Sequence, residues 1–473
     1  MKAHKSWSYA HYTPLFYDAG DIYICRIAPF AGGFTFDTKE APARAFDVYL
    51  RKRNDGDFLR VGGMTGKTHT VTGLDDPADY EFYVAEGEKK SRVRLVRTGA
   101  SFGSVINYLH PDDTQYAFSG RYLCSPSIVR HPDGFLLSSM DLFAGGHPQN
   151  LTLIFRSDDN GSTWTHVCEL FPCFWGKIFL HGSALYMFGV STEYGDILIG
   201  RSDDGGVTWS EPTTLFRGGG GKNGECGWHR NPQLVVEYGG RIWNTAEWGQ
   251  WARGYHAPSV LSAPLDADLL DADSWEITPP VKYDRTWKGL PEGESSGNIE
   301  GTLVVFPDGK LYNVMRYDMT RTTPAFGMAL IYAVDTDDPS APLTFVRTMD
   351  FMANHSKFEI KYDEVSGCYI TLATRFRDGL HAHHRTLLSL MYSRDMVTWH
   401  VGCDVYDKTD MDANKVGFQY VDYLIEGDDL LFQCRVGWNE PNNYHDSNFA
   451  IFDRVNGFRR FLSAGRENLQ NKS

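Results

Sequence analysis

Ten polar side chains stand out by type and by position: His229, Arg230, Glu247, Glu300, Arg316, His355, Lys357, Arg375, Tyr420 and Arg435. Each falls at the start of an apolar strand-like run or at the end of the run that follows it. Imidazoles and carboxylates move protons near neutral pH, and guanidinium groups hold anions in a planar fork. Such a set fits proton transfer beside a bound anion. It also fits a solvated channel, which needs polar walls whatever it does.

The elements that must position these residues are strands, because helical periodicity is almost absent. After Gly99 the chain repeats an apolar strand, a turn, a second strand and a closing aromatic, six times over. The strands open at Pro126, Lys177, Pro232, Gly301, Phe358 and Tyr420. The repeats close at Trp164, Trp209, Trp275, Phe345, Trp399 and Phe458. Turns such as Pro307-Asp-Gly-Lys310 have hairpin chemistry. The expected fold is all-β: a six-bladed β-propeller over residues 100–465, preceded by a small β-sandwich over 1–99, with a tail at 466–473. A seventh blade built from the chain ends stays open. In a propeller the innermost strands face the central axis, which is where the ten residues would converge.

An eight-residue pattern, S-x-D-x-G-x-T-W, occurs at Ser157–Trp164 and again at Ser202–Trp209, with a shortened form at Ser393–Trp399. The Asp caps backbone N–H groups of a tight turn, the Gly takes positive φ, and the Trp returns to the sheet. This is the Asp-box, and from Gly99 to Phe461 the sequence resembles the sialidase-like propeller superfamily. The stretch from His69 to Val84 is similar to the late part of a fibronectin type III sandwich.

The resemblance implies roles for particular residues. Glu300, in Glu300-Gly-Thr-Leu-Val-Val-Phe-Pro-Asp-Gly-Lys-Leu311, matches the glutamate that opens the fourth blade. Arg316 and Arg385 match two arginines that bind a substrate carboxylate. Tyr420 matches the tyrosine nucleophile that opens the sixth blade. A phenol is a weak nucleophile with a pKa near ~10, and a neighbouring carboxylate removes its proton as it attacks. Two departures mark the site as rebuilt. Cys124 stands near the expected first-blade arginine, with Arg121 three residues away. The loop Gly145-Gly-His-Pro-Gln-Asn150, where the family keeps its acid aspartate, has no carboxylate, and His147 is its nearest proton donor.

The leading expectation is an exo-glycosidase for an acidic or modified glycan, with Tyr420, Glu300, His147 and His229 as catalytic candidates. Arg316, Arg385, Arg230, Glu247, His355, Lys357, Arg375 and Arg435 are the substrate-binding candidates. One alternative is a polysaccharide lyase acting on a uronic-acid glycan, with His and Tyr as bases. The other is a glycan-binding propeller without catalysis. The partner is an oligosaccharide or polysaccharide. A net charge of −14 argues against nucleic acid and anionic membranes as partners. No cofactor is expected. His381 and His383 have ligand types but lack a third ligand, so no metal is expected either. The glycine run Gly218–Asn223 lacks the features of a phosphate loop and reads as a flexible loop. The N-terminus as given shows no apolar leader and the eight cysteines show no C-x-x-C spacing, so a cytoplasmic location is expected; a secreted protein whose leader had been removed would read the same, with Cys168 and Cys173 able to bridge.

Overall fold

The computed structural model describes residues 21–220, 224–353, 356–377 and 384–462. His355, His381, His383, the end of the glycine run at 221–223, the first twenty residues and the 466–473 tail lie outside the described residues. The fold is a β-propeller of six sheets with a β-sandwich before it. Blade one runs Tyr122–Arg130, Leu136–Phe143, Thr152–Ser157, Thr165–Leu170, each strand antiparallel to the last. Blades two, four and five repeat that order. In blade three the innermost position is shared by two short strands, Gly227–His229 and Val236–Tyr238, both paired to Arg241–Gln250. Blade six closes the ring. Its strands Gly417–Glu426, Asp429–Gly437 and Phe449–Val455 take their outermost partner from Ser104–Tyr108, more than three hundred residues earlier. The strand that follows the sandwich therefore completes blade six, and no seventh blade forms among the described residues.

Burial follows the sequence pattern. Ala184–Val190 is buried at all seven positions, because inner strands pack against a blade on each side. The sandwich strand Phe46–Lys52 instead alternates, with Phe46, Val48 and Leu50 turned inward. The sandwich has one sheet of Ile24–Phe30, Gly33–Thr38 and Thr68–Thr72. Its other sheet is built around Phe46–Lys52 and Asp79–Glu86. The Asp75 amide donates to the Tyr80 hydroxyl at 2.9 Å, a tyrosine corner. Arg26 ties the sandwich to blade six by donating to the carbonyls of Ile106 and Val105 at 2.8 and 3.0 Å.

Both full eight-residue motifs form the same corner between the third and fourth strands. Asp159 accepts from the Thr163 amide at 2.8 Å, Ser157 Oγ accepts from the Gly161 amide at 2.8 Å, and Trp164 Nε1 donates to the Gly161 carbonyl at 3.1 Å. Asp204, Ser202, Thr208 and Trp209 repeat these bonds. The tryptophans then cover the preceding blade. Trp164 meets Phe452 of blade six at 5.6 Å between ring centres, and Trp399 of blade five meets Phe351 of blade four at 4.8 Å.

Candidate active site

Four innermost strands share one irregularity. Pairing shifts by a residue between Cys124 and Ser127, Phe174 and Lys177, Ile299 and Gly301, and Gln419 and Asp422. Inside each bulge a non-glycine residue takes positive φ: Ser125 at 47°, Trp175 at 50°, Glu300 at 59° and Tyr420 at 57°. A bulge re-aims one side chain, and the left-handed conformation costs about 1–3 kcal/mol wherever it is held. The propeller holds it on blades one, two, four and six at equivalent positions, which turns these four side chains toward the axis.

The two bulge residues of blades four and six meet. The Tyr420 hydroxyl donates to Glu300 Oε1, and Arg316 donates to Glu300 Oε2. Glu300 is buried, whereas Tyr420 stays partly exposed. Burial works to raise the Glu300 carboxyl, but the Arg316 charge, then His229 and the Tyr420 hydroxyl, outweigh it and hold the carboxylate below its usual range. Burial and the Glu300 charge together push the Tyr420 phenol up, against three arginines that pull it down. The phenol is thus neutral at rest and bonded to an ionised carboxylate.

Those three arginines surround the pair. Arg435 lies with its guanidinium carbon 4.1 Å from the Tyr420 ring centre. It donates to the Cys124 sulfur at 2.8 Å and to Gln419 Oε1 at 3.2 Å. Arg385 also donates to Gln419 Oε1 and lies 5.7 Å from the Tyr444 ring. Burial, followed by the like charge of Arg316, brings the Arg385 pKa down to about 10. Arg316 pairs with Glu300, and all three guanidinium groups bear on the Tyr420 phenol, an arrangement that favours an anion beside it. Arg435 comes from the second strand of blade six and touches Cys124, the position where the resemblance calls for an arginine. Arg121 instead donates to the Pro111 carbonyl.

Blade three adds His229, whose Nδ1 bonds Glu247 Oε2 at 2.8 Å, while Glu247 Oε1 accepts from the Gly301 amide at 3.1 Å. Glu247 thereby orients His229 and braces the bulge that carries Glu300. The His229 ring lies 4.1 Å from Trp175 and 4.9 Å from His256. His256 is bonded to Tyr194 at 3.1 Å, and burial, then His229 and Arg316, lower its imidazole well below the usual range.

Other expected residues lie elsewhere. Arg230 is fully buried between blades two and three, donating to the Trp175 carbonyl and to Asn244. These bonds join the two blades. Arg375 turns away along blade five to Ser389 and Asp404. Lys357 belongs to a buried charge cluster under the site: Lys357–Glu359 at 3.0 Å, Lys177–Asp422 at 2.6 Å and Lys177–Glu359 at 3.6 Å. Asp422 follows Tyr420 by two residues and also accepts from the Ile128 amide at 2.8 Å, so this cluster fixes the blade-six bulge. His147 sits in its loop with the Gly145 carbonyl 3.3 Å from Nδ1.

Sequence reasoning passed over Trp175, Gln419, Tyr444 and Glu193. Glu193 follows the second strand of blade two, and the same end-of-strand rule that selects Arg316 reaches it. Its Oε2 accepts from Gln149 Nε2 at 2.7 Å. Beside blade three a cleft of about 610 Å³ is walled by Trp228, Trp248, Tyr255, Arg217 and Lys282. Trp228 and Trp248 are chain neighbours of His229 and Glu247, so the same two strands wall both the cleft and the axis. Among the described residues, no group of three or more His, Cys, Asp or Glu side chains is placed to hold a metal ion.

No family model matches the sequence, and no curated protein matches it. Solved structures do share its fold. The α-L-arabinofuranosidase of Fusarium graminearum, in complex with an iminosugar inhibitor, is 14% identical, with 75% of this chain and 98% of that chain covered at a TM-score of 0.50. The Penicillium chrysogenum α-L-arabinanase complexed with arabinobiose is 15% identical over 75% of this chain and 97% of that one, at a TM-score of 0.49. The leech intramolecular trans-sialidase complexed with 2,7-anhydro-Neu5Ac is 9% identical over 97% of this chain and 98% of that one, also at 0.49.

Proposed function

We propose that this protein is a carbohydrate-active enzyme, an exo-glycosidase that releases a terminal anionic sugar with retention of anomeric configuration. The observation that carries the reading is the Tyr420–Glu300–Arg316 contact at the axis, held by bulges on two different blades. Likeness to other propellers bears on the fold alone; the chemistry is argued from these side chains.

In this mechanism Arg316 and Arg385, with Arg435 packed against the Tyr420 ring, receive the sugar carboxylate in charge-assisted bonds. Tyr420 Oη attacks the anomeric carbon while Glu300 takes its proton, and the bond to the leaving oxygen breaks. A neutral phenol suits attack beside a carboxylate, where an anionic nucleophile would meet repulsion. Water then displaces the tyrosine, whose proton returns from Glu300. Two inversions at one carbon give net retention. The aromatic cleft beside blade three offers flat faces for the next sugar units.

The test is product analysis on aryl glycosides and oligosaccharides ending in nonulosonic or uronic acids. Proton NMR at early times should show the retained anomer as the first product. A lyase would instead give an unsaturated product absorbing in the near ultraviolet, and a binding propeller would give neither.

A further inference from the structure

The proposed reaction needs a proton donor for the leaving oxygen, and the loop that the sequence suggested for it holds only His147. That loop has a different part to play. Gln149 adopts positive φ at 52°, its amide donates to the Ser119 carbonyl at 2.8 Å, and its side-chain amide reaches across to Glu193 of blade two. Thr192 Oγ1 donates to the Pro148 carbonyl and locks the two loops together. The turn bearing Glu193 is braced from within: the Asp196 amide donates to Ser191 Oγ at 2.9 Å, and the Gly195 amide to the Thr192 carbonyl at 2.8 Å. A carboxyl from blade two is thereby held against the loop where blade one lacks one.

We propose that Glu193 is the general acid/base of this site, an assignment that rests on the exo-glycosidase reading above. One oxygen, Oε2, is anchored by Gln149, and Oε1 has no partner among the described residues. Glu193 lies within electrostatic reach of His229, and His229 within reach of Glu300. The ring of Tyr194, next to Glu193 in the chain, lies 6.1 Å from the His229 ring and 6.2 Å from the Trp175 ring, which puts Glu193 on the His229 side of the site. The groups facing Glu193 are Gln149 from blade one, His229 from blade three and Tyr194 beside it in the chain. Burial raises its carboxyl above the ordinary range, against the opposing pull of Gln149 and then His229, which suits a group that must arrive protonated. Asp141 is also raised, to about 7 by burial, but it is 0% exposed, bonded to Thr152 and to the Gly176 amide, and cannot reach a substrate.

In the first half-reaction the Glu193 proton passes to the leaving oxygen as its bond to the anomeric carbon breaks. In the second, the Glu193 carboxylate takes a proton from water as the water oxygen attacks that carbon and the Tyr420 oxygen leaves. Each group returns to its starting state.

Glu193→Gln keeps the shape of the side chain and still accepts from Gln149. It is compared with wild type on methyl and 4-methylumbelliferyl glycosides of N-acetylneuraminic acid and of glucuronic acid, using the sugar that wild type turns over. Loss of a positioned acid should lower kcat/KM on the methyl glycoside by about 10²- to 10⁴-fold, and much less on the aryl glycoside, whose leaving group needs no proton. The basic limb of the pH profile should vanish, and azide should restore aryl turnover as a glycosyl azide. Glu193→Asp, with a shorter acid, should recover part of the methyl activity. Equal losses on both leaving groups with the basic limb intact would overturn the assignment. Tyr420→Phe separates this failure from that of the wider reading, because it should stop both glycosides equally. If Tyr420→Phe retains turnover, the nucleophile reading falls while the leaving-group comparison still decides Glu193. If wild type turns over neither sugar, both fall.

Discussion

Arg385→Met separates an arginine kept for binding from one kept for stability. Arg385 is 5% exposed and sits with Arg316 and Arg435 around the Tyr420 phenol. Its pKa falls from 12.5 to about 10, first through burial and then through Arg316. A base whose folded pKa is depressed carries its penalty wherever it is charged in both states, below the folded pKa. At pH 7 that penalty is fully present and fades only as pH rises past the folded value. At ~1.4 kcal/mol per tenfold, the charge costs the fold about 3 kcal/mol. Methionine fills the space without the charge, so the variant should melt no lower than wild type. Removing a charge-assisted contact to a substrate carboxylate costs about 2–4 kcal/mol, or about 30- to 1000-fold in kcat/KM. Thermal melts and steady-state kinetics on the best aryl glycoside measure both. A clear drop in melting temperature with unchanged kcat/KM would refute the reasoning, since Arg385 would then serve the fold alone.

Gly161→Ala should destabilise the propeller by about 2–4 kcal/mol, because an added Cβ would lie 2.0 Å from the Phe452 ring at a φ of +88°; a thermal melt checks it. Lys177→Met should cost about 3–5 kcal/mol by leaving Asp422 in a buried cluster short of one cation, read by denaturant melts. In wild type, Asp422 is held far below its usual pKa: burial opposes this, but Lys177 and then Lys361 and Lys357 outweigh it. Its contribution is therefore present above about pH 4 and is lost as pH falls further, so the Lys177→Met penalty should shrink in acid.

The repeat of strands and closing aromatics made the propeller legible, since inner strands are apolar on both faces and the Asp-box corners have their own turn chemistry. The closure of blade six by Ser104–Tyr108 was not legible, because its partner is distant in sequence and the segment looks like any short strand. Glu300 and Tyr420 come together because bulges in two innermost strands re-aim them, and Arg316 and Arg435 join them from the ends of the second strands; Arg385, just before Leu387–Ser393, was legible only through the resemblance. Arg230 and Arg375 satisfy the same positional rule, yet their side chains swing into the blades toward Asn244 and Asp404. A long side chain chooses its direction from neighbours that sequence spacing does not reveal. Lys357 was drawn into its charge cluster by Glu359, two residues on, in the segment that leads into the strand Lys361–Asp363. Glu193 lay within reach of the end-of-strand rule, but its bond to Gln149 of blade one is not visible in the sequence.

The central claim is that Tyr420 attacks the anomeric carbon. The direct measurement is mass spectrometry of the protein after incubation with an anionic glycosyl fluoride carrying a second fluorine beside the anomeric carbon, which slows release of the intermediate. The account predicts a mass increase of one fluorosugar, mapped to the peptide containing Tyr420 and absent from Tyr420→Phe. An adduct on another residue, or no adduct together with an unsaturated product from the natural glycan, would contradict it.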